Sequence, residues 1–125
     1  MMMMKKKILV VDDSASIRHQ VSATLASAGF DVVEAVDGIA GAEAIEQDSE
    51  IAAVICDVNM PRMNGIDMVV RVKALPQNAK LAMIMLTTEG QGTLLRRAKE
   101  AGAIGWIVKP FNPAQLVAVV KRVAA

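Results

Sequence analysis

Five short apolar runs, at residues 8–11, 32–36, 51–56, 79–86 and 105–108, alternate along this chain with longer amphipathic segments. The short runs are nearly continuous, as strands are when both faces of a parallel sheet are covered. The longer segments keep a helical period: Ile17, Val21, Leu25 and Ala28 fall four, four and three residues apart, on one face. Strand followed by helix, five times over, predicts an α/β fold: a doubly wound, five-stranded parallel sheet with helices on both faces. Five strands are too few to close an eight-stranded barrel, so the sheet is open.

Punctuation along the chain agrees. Gly29 and Gly102 stand where C-terminal caps belong, and Asn112 followed by Pro113 reads as an N-cap and first helical residue. Further helices are expected from Gly38 to about Asp48, after Gly65 with Ile66, Val69 and Val72 inward, and up to Ala101. The last helix carries Leu116, Val119, Val120 and Val123 on one side. No linker or low-complexity stretch divides the 125 residues, which are read as one domain.

Hydrophobic residues make up 54% of the chain and aromatics only 2%, so aliphatic side chains and alanine must fill the core. A formal net charge of +1 offers no bulk attraction to nucleic acid or acidic lipid. One cysteine, Cys56, forms no intrachain disulfide and suits a reducing compartment. The basic residues Lys5, Lys6 and Lys7 precede an apolar run that Asp12 and Asp13 cut short, unlike a secretory signal. No stretch approaches the roughly 20 apolar residues that span a bilayer. The expectation is a soluble, cytoplasmic chain with nothing that demands more than a monomer.

In an open parallel sheet, ligands bind at the carboxyl ends of the strands. Those ends carry Asp12 and Asp13, then Asp57, then Thr87, then Lys109. Folding therefore gathers three carboxylates, a hydroxyl and an ammonium at one rim. Two like charges ~4 Å apart repel by about 4 kcal/mol at an effective dielectric near 20. Lys109 offsets part of this, and a divalent cation would offset more. Oxygen ligands with no histidine or thiolate pair nearby favour Mg²⁺ over zinc. Asp57, alone on its strand, suits a carboxylate nucleophile for an aspartyl-phosphate. Lys109 and Thr87 can each bind a phosphoryl oxygen. Such a transfer rests on positioning and charge, without a general acid or base.

Four short motifs at successive strand ends now stand together: Val10–Val11–Asp12–Asp13–Ser14, Asp57–Val58–Asn59–Met60–Pro61 with Gly65, Leu86–Thr87–Thr88, and Lys109–Pro110–Phe111. Over its whole length the chain resembles the receiver domain of two-component response regulators, a flavodoxin-like fold, and within it the stand-alone chemotaxis regulators of the CheY type. The resemblance implies Mg²⁺ ligands Asp13, Asp57 and the backbone carbonyl of Asn59, with Asp12 reaching the metal through water. It implies a phosphohistidine donor on a sensor histidine kinase and a cis peptide at Lys109–Pro110. It implies that Thr87 moves toward the phosphoryl group while the aromatic at position 106 swings inward. Trp106 stands there, where the family more often has Tyr or Phe. By the same resemblance Asn59 and Glu89 tune the lifetime of the phosphoryl group. Gly90 and Gly92 make the segment after Thr88 pliable.

The output expected is altered partner binding on the face around Lys99, Trp106, Val108 and Lys121, with the flagellar motor switch as one such partner. A phosphorelay carrier is a second signalling reading. A phosphatase forming an aspartyl-phosphate belongs to another class, but its haloacid-dehalogenase type wants a second aspartate where this chain has Asn59. A flavodoxin binding FMN would need hydroxyls and amides in its first loop, where Asp12 and Asp13 would repel phosphate. Plainer readings accompany several residues. Asp12–Asp13–Ser14 can serve as a helix cap, Thr88 as a loop residue and Trp106 as core packing. His19 lies about 200° round the helix from Ile17 and faces solvent. Cys56 reads as a small buried hydrophobe, and Lys5 to Lys7 as a solvated entry to the first strand.

Overall fold

The computed structural model describes residues 5–88 and 92–124. Its strands are β1 (Lys7–Val11), β2 (Asp31–Ala35), β3 (Ile51–Asp57), β4 (Ala82–Thr87) and β5 (Gly105–Val108). Its helices are α1 (Ala15–Ser27), α2 (Gly38–Gln47), α3 (Gly65–Lys73), α4 (Gly92–Ala101) and α5 (Pro113–Val123). All strand pairs are parallel, in the order β2-β1-β3-β4-β5. The doubly wound α/β sheet expected from the apolar runs is therefore present. Strand order reverses between β1 and β3, and ligands of such sheets bind at that switch.

Alternation along each strand divides the core in two. Leu9, Val11, Val54, Cys56, Met83 and Met85 face one way, onto Ala42 and Ile45 of α2, Ile66 and Val69 of α3, and Ala98 of α4. Ile8, Val10, Ala53, Ile55, Ile84, Leu86 and Ile107 face the other, onto Val21 and Leu25 of α1 and Leu116 and Val120 of α5. Strands buried on both faces explain why the sequence shows continuous apolar runs rather than alternation.

Helix starts follow their caps. Ser14 Oγ accepts from the Ile17 amide, Asp37 Oδ1 from Ala40, Asn64 Oδ1 from Asp67 and Asn112 Oδ1 from Gln115. Gly29 and Gly102 have φ of 98° and 121°, so both caps use a conformation that L side chains rarely adopt.

Three strands shift by one residue, with β1 beginning at Lys7, β2 spanning Asp31–Ala35 and β3 ending at Asp57, and two boundaries depart further. The fourth strand begins at Ala82 rather than at residue 79, because Pro76–Asn78 forms a short 3-10 turn. Lys73 Nζ then donates to the carbonyls of Asn78, Ala79 and Leu81, which turns them away from a ladder. Gly92 is the first residue of α4 rather than a break before it. Gly90 lies outside the described residues. Among the described residues, no helix is long and apolar enough to cross a membrane.

Candidate functional site

β1 ends at Val11 and β3 at Asp57, side by side, with Val11 opposite Cys56. That register sets Asp12, one residue beyond β1, level with Asp57. Parallel pairing of β4 with β5 places Lys109 just beyond the pair Thr87 and Val108, and the Lys109 amide donates to the Thr87 carbonyl at 2.7 Å. Residues up to 97 positions apart thus meet at one rim.

Carboxylate oxygens of Asp12, Asp13 and Asp57 all lie within 4.8 Å of one another. Asp12 and Asp57 are buried while Asp13 is exposed. Lys109 Nζ stands 3.3 Å from Asp12 Oδ2 and 3.3 Å from Asp57 Oδ1. Three carboxylates face one ammonium.

Electrostatics register the excess. Burial lifts the Asp57 carboxyl above the usual carboxylate range and the neighbouring Asp12 lifts it further. Lys109 and the Asn59 amide, which donates to Asp57 Oδ1 at 3.4 Å, oppose this only in part. An all-oxygen set with surplus negative charge, open to solvent through Asp13, fits Mg²⁺. Burial also pushes the neighbouring Cys56 thiol up, keeping it a neutral core group as its sequence position suggested.

The first loop shows both readings of Asp12–Asp13–Ser14 at once. Ser14 caps α1, and its own amide donates to Asp12 Oδ1 at 2.9 Å. Arg18 Nη1 donates to the Asp12 carbonyl at 2.7 Å while its Nε holds Glu34 at 2.9 Å. In the sequence Arg18 reads only as one more polar residue of an amphipathic helix.

Gly65 has a sharper requirement than motif membership. Its amide donates to the Val58 carbonyl at 2.9 Å, and an added Cβ would lie 2.2 Å from the Asp57 carbonyl oxygen. Only glycine lets α3 begin so close behind Asp57.

Other expected residues fall as follows. Thr87 is fully buried at the end of β4, and Thr88 is an exposed loop residue beyond it. Asn59 is exposed, next to Asp57. Glu89 lies outside the described residues. His19 is exposed, 3.9 Å from Glu34. Lys5 is solvated, but Lys7 belongs to β1 and pairs with Asp48 at 2.8 Å. The peptide between Lys109 and Pro110 is cis. Trp106 is not core packing: it is 42% exposed on β5, between Ile104 at 60% and Val108 at 47%.

With this geometry in hand, comparison with known proteins is specific. Residues 8–121 match the family model for the response regulator receiver domain. Chemotaxis protein CheY1 of Helicobacter pylori is 41% identical over 108 residues, covering 86% of this chain and 87% of that protein. Chemotaxis protein CheY of Thermotoga maritima is 36% identical over 123 residues, covering 97% of this chain and 99% of that protein. The crystallized chemotaxis protein CheY4 of Vibrio cholerae superposes with a TM-score of 0.91 at 41% identity, covering 96% of this chain and 99% of that one.

Proposed function

This chain belongs to the response regulator receiver family, and from that premise we propose that Asp57 accepts a phosphoryl group from a phosphohistidine of a sensor kinase. Phosphoryl acceptance is general to the family, and receivers of the CheY type are not classical enzymes. The observation that carries the assignment is Lys109 Nζ, 3.3 Å from both Asp12 and Asp57 in a cluster of three carboxylates.

An oxygen of Asp57 forms the new bond to phosphorus as the bond from phosphorus to the imidazole nitrogen breaks. The departing imidazole nitrogen keeps the electron pair, and the proton it takes up comes from water. The side chains of Asp13 and Asp57 and the carbonyl of Asn59 would hold Mg²⁺ directly, with Asp12 acting through water. When bound, the ion neutralises charge on the carboxylates and on the phosphoryl oxygens. Lys109 would leave its carboxylates for a phosphoryl oxygen, a role that its 3.3 Å distance from Asp57 supports. Thr87, one residue beyond the level of Asp57 on the adjoining strand, supplies a hydroxyl to another. Asn59 and Glu89 set how long the product lasts.

The output is binding. Lys99, Trp106, Val108 and Lys121 are all exposed, and an apolar stripe framed by lysines suits an acidic amphipathic partner. Relatives that bear the name chemotaxis protein support a chemotaxis kinase upstream and the flagellar motor switch downstream.

Trp106 is the sole tryptophan, so its emission tests the coupling. Adding Mg²⁺ and then a small acyl-phosphate donor should change the intensity in the native chain and leave Asp57→Asn unmoved after the donor. Constant emission in the native chain, despite phosphorylation, would sink the coupling through Trp106.

A further inference from the structure

The loop between β3 and α3, residues 58–64, carries Asn59, whose carbonyl is one of the proposed metal ligands. A backbone ligand has no rotamer of its own, so the loop's path fixes it. That path is held at two places. Behind it, Gly65 sits on the Asp57 carbonyl. In front of it, the loop rests on the first turn of α2.

Three features mark that front seat. Arg62 has φ of 68°, a left-handed conformation rare for a residue with a long side chain. Its Nη1 donates to Asp37 Oδ2 at 3.0 Å. Asp37 is only 4% exposed and uses its other oxygen, Oδ1, to cap α2 through the Ala40 amide at 2.8 Å. Next to it, Gly38 lies so close that an added Cβ would come within 2.5 Å of the Met63 carbonyl oxygen. A strained backbone persists only where its surroundings over-determine it. Here a buried carboxylate and a missing Cβ do so, from an element that contributes no ligand to the cluster.

We infer that Asp37 and Arg62 are positioning residues for divalent-cation binding, seating the Asn59 loop against the N-terminus of α2. The inference rests on the proposed metal role of the Asn59 carbonyl. It predicts that breaking the pair frees the loop to relax at Arg62 and misaims that carbonyl, while Asp12, Asp13, Asp57 and Lys109 keep their places.

The test is calorimetric titration of Mg²⁺ into the metal-free chain and four variants. Arg62→Ala removes the pair and leaves the left-handed backbone unsupported. Asp37→Asn keeps the helix cap, since Asn caps as well as Asp, but removes the charge. Each should weaken Mg²⁺ affinity by about tenfold, the lower end for loss of an outer-shell partner. The double variant should be no weaker than either single one, because both break one interaction. Arg62→Lys should retain most of the affinity. A merely structural role would lower unfolding midpoints without moving the Mg²⁺ affinity, and that result overturns the inference. Additive losses in the double variant overturn it as well. Absence of Mg²⁺ uptake by the unaltered chain overturns the metal site and the inference together, whereas normal uptake with unmoved variants removes only the seat.

Discussion

The two ends of the sheet handle charge in opposite ways. At the amino ends of the strands, charges are matched in the open. Lys7 meets Asp48 at 2.8 Å and Arg71 meets Glu46 at 3.1 Å; Lys73 departs from this, donating to three backbone carbonyls while burial pushes its ammonium toward the neutral form. The mutual hydrogen bond of Lys7 and Asp48 raises the one and lowers the other, each toward its charged form. At the carboxyl ends, three carboxylates crowd within 4.8 Å beside a single lysine, and burial with a like neighbour drives Asp57 toward its neutral form. One end is arranged for the folded state alone. The other concentrates negative charge that the proposed cation would offset, on strands that are buried on both faces.

Gly65→Ala is the strongest way to break this contrast. A Cβ placed 2.2 Å from the Asp57 carbonyl oxygen must displace backbone, costing roughly 3 kcal/mol. Denaturant unfolding should show that loss together with weakened Mg²⁺ affinity. Near-native stability would mean that the approach of α3 to Asp57 is not a constraint.

Asp57→Asn should act in the other direction. Without metal, removing one of the crowded charges should stabilise the chain by roughly 1–2 kcal/mol at neutral pH. The sign follows from linkage: the folded state holds the Asp57 proton more tightly than the unfolded state does, so stability falls as pH rises through the carboxylate range. The advantage of Asp57→Asn should therefore vanish in acid, below the ordinary carboxylate value, and reach its full size above the raised one. Unfolding curves in a chelator from acid to neutral pH would show this. An advantage that shrinks with rising pH would reverse the electrostatic account.

Lys73→Met sharpens the contrast from the other end, with the smallest effect. It gives up three carbonyl bonds while keeping much of the apolar stem, so about 1 kcal/mol should be lost. Phosphorylation should be unaffected. A fall in phosphorylation would show that the two ends are coupled rather than separate.

Legibility in the sequence followed the same division. The rim residues were readable because each follows directly on an apolar strand, and the topology brings strand ends together without any knowledge of side-chain contacts. The apolar run 105–108 has the same bounds as β5 in the structure. The start of β4 was not readable, since nothing local reveals that Lys73 will capture the carbonyls of residues 78, 79 and 81. Gly65 was visible as part of a motif, but its close approach to Asp57 is a fact of packing. Arg18, Asp37 and Arg62 look like ordinary surface polar residues, because their partners lie on other elements. Trp106 reads in the sequence as a switch residue, with core packing as the plainer alternative, and its exposure was not readable, since an edge strand of four residues offers one covered and one uncovered face.

Site mapping reaches the main point without intermediaries. The chain is incubated with acetyl phosphate in Mg²⁺ or in a chelator, the adduct is trapped, and the peptides are sequenced by mass spectrometry. Modification confined to Asp57 and dependent on Mg²⁺ is the result expected. Labelling at another carboxylate, or equal labelling in the chelator, would contradict the account.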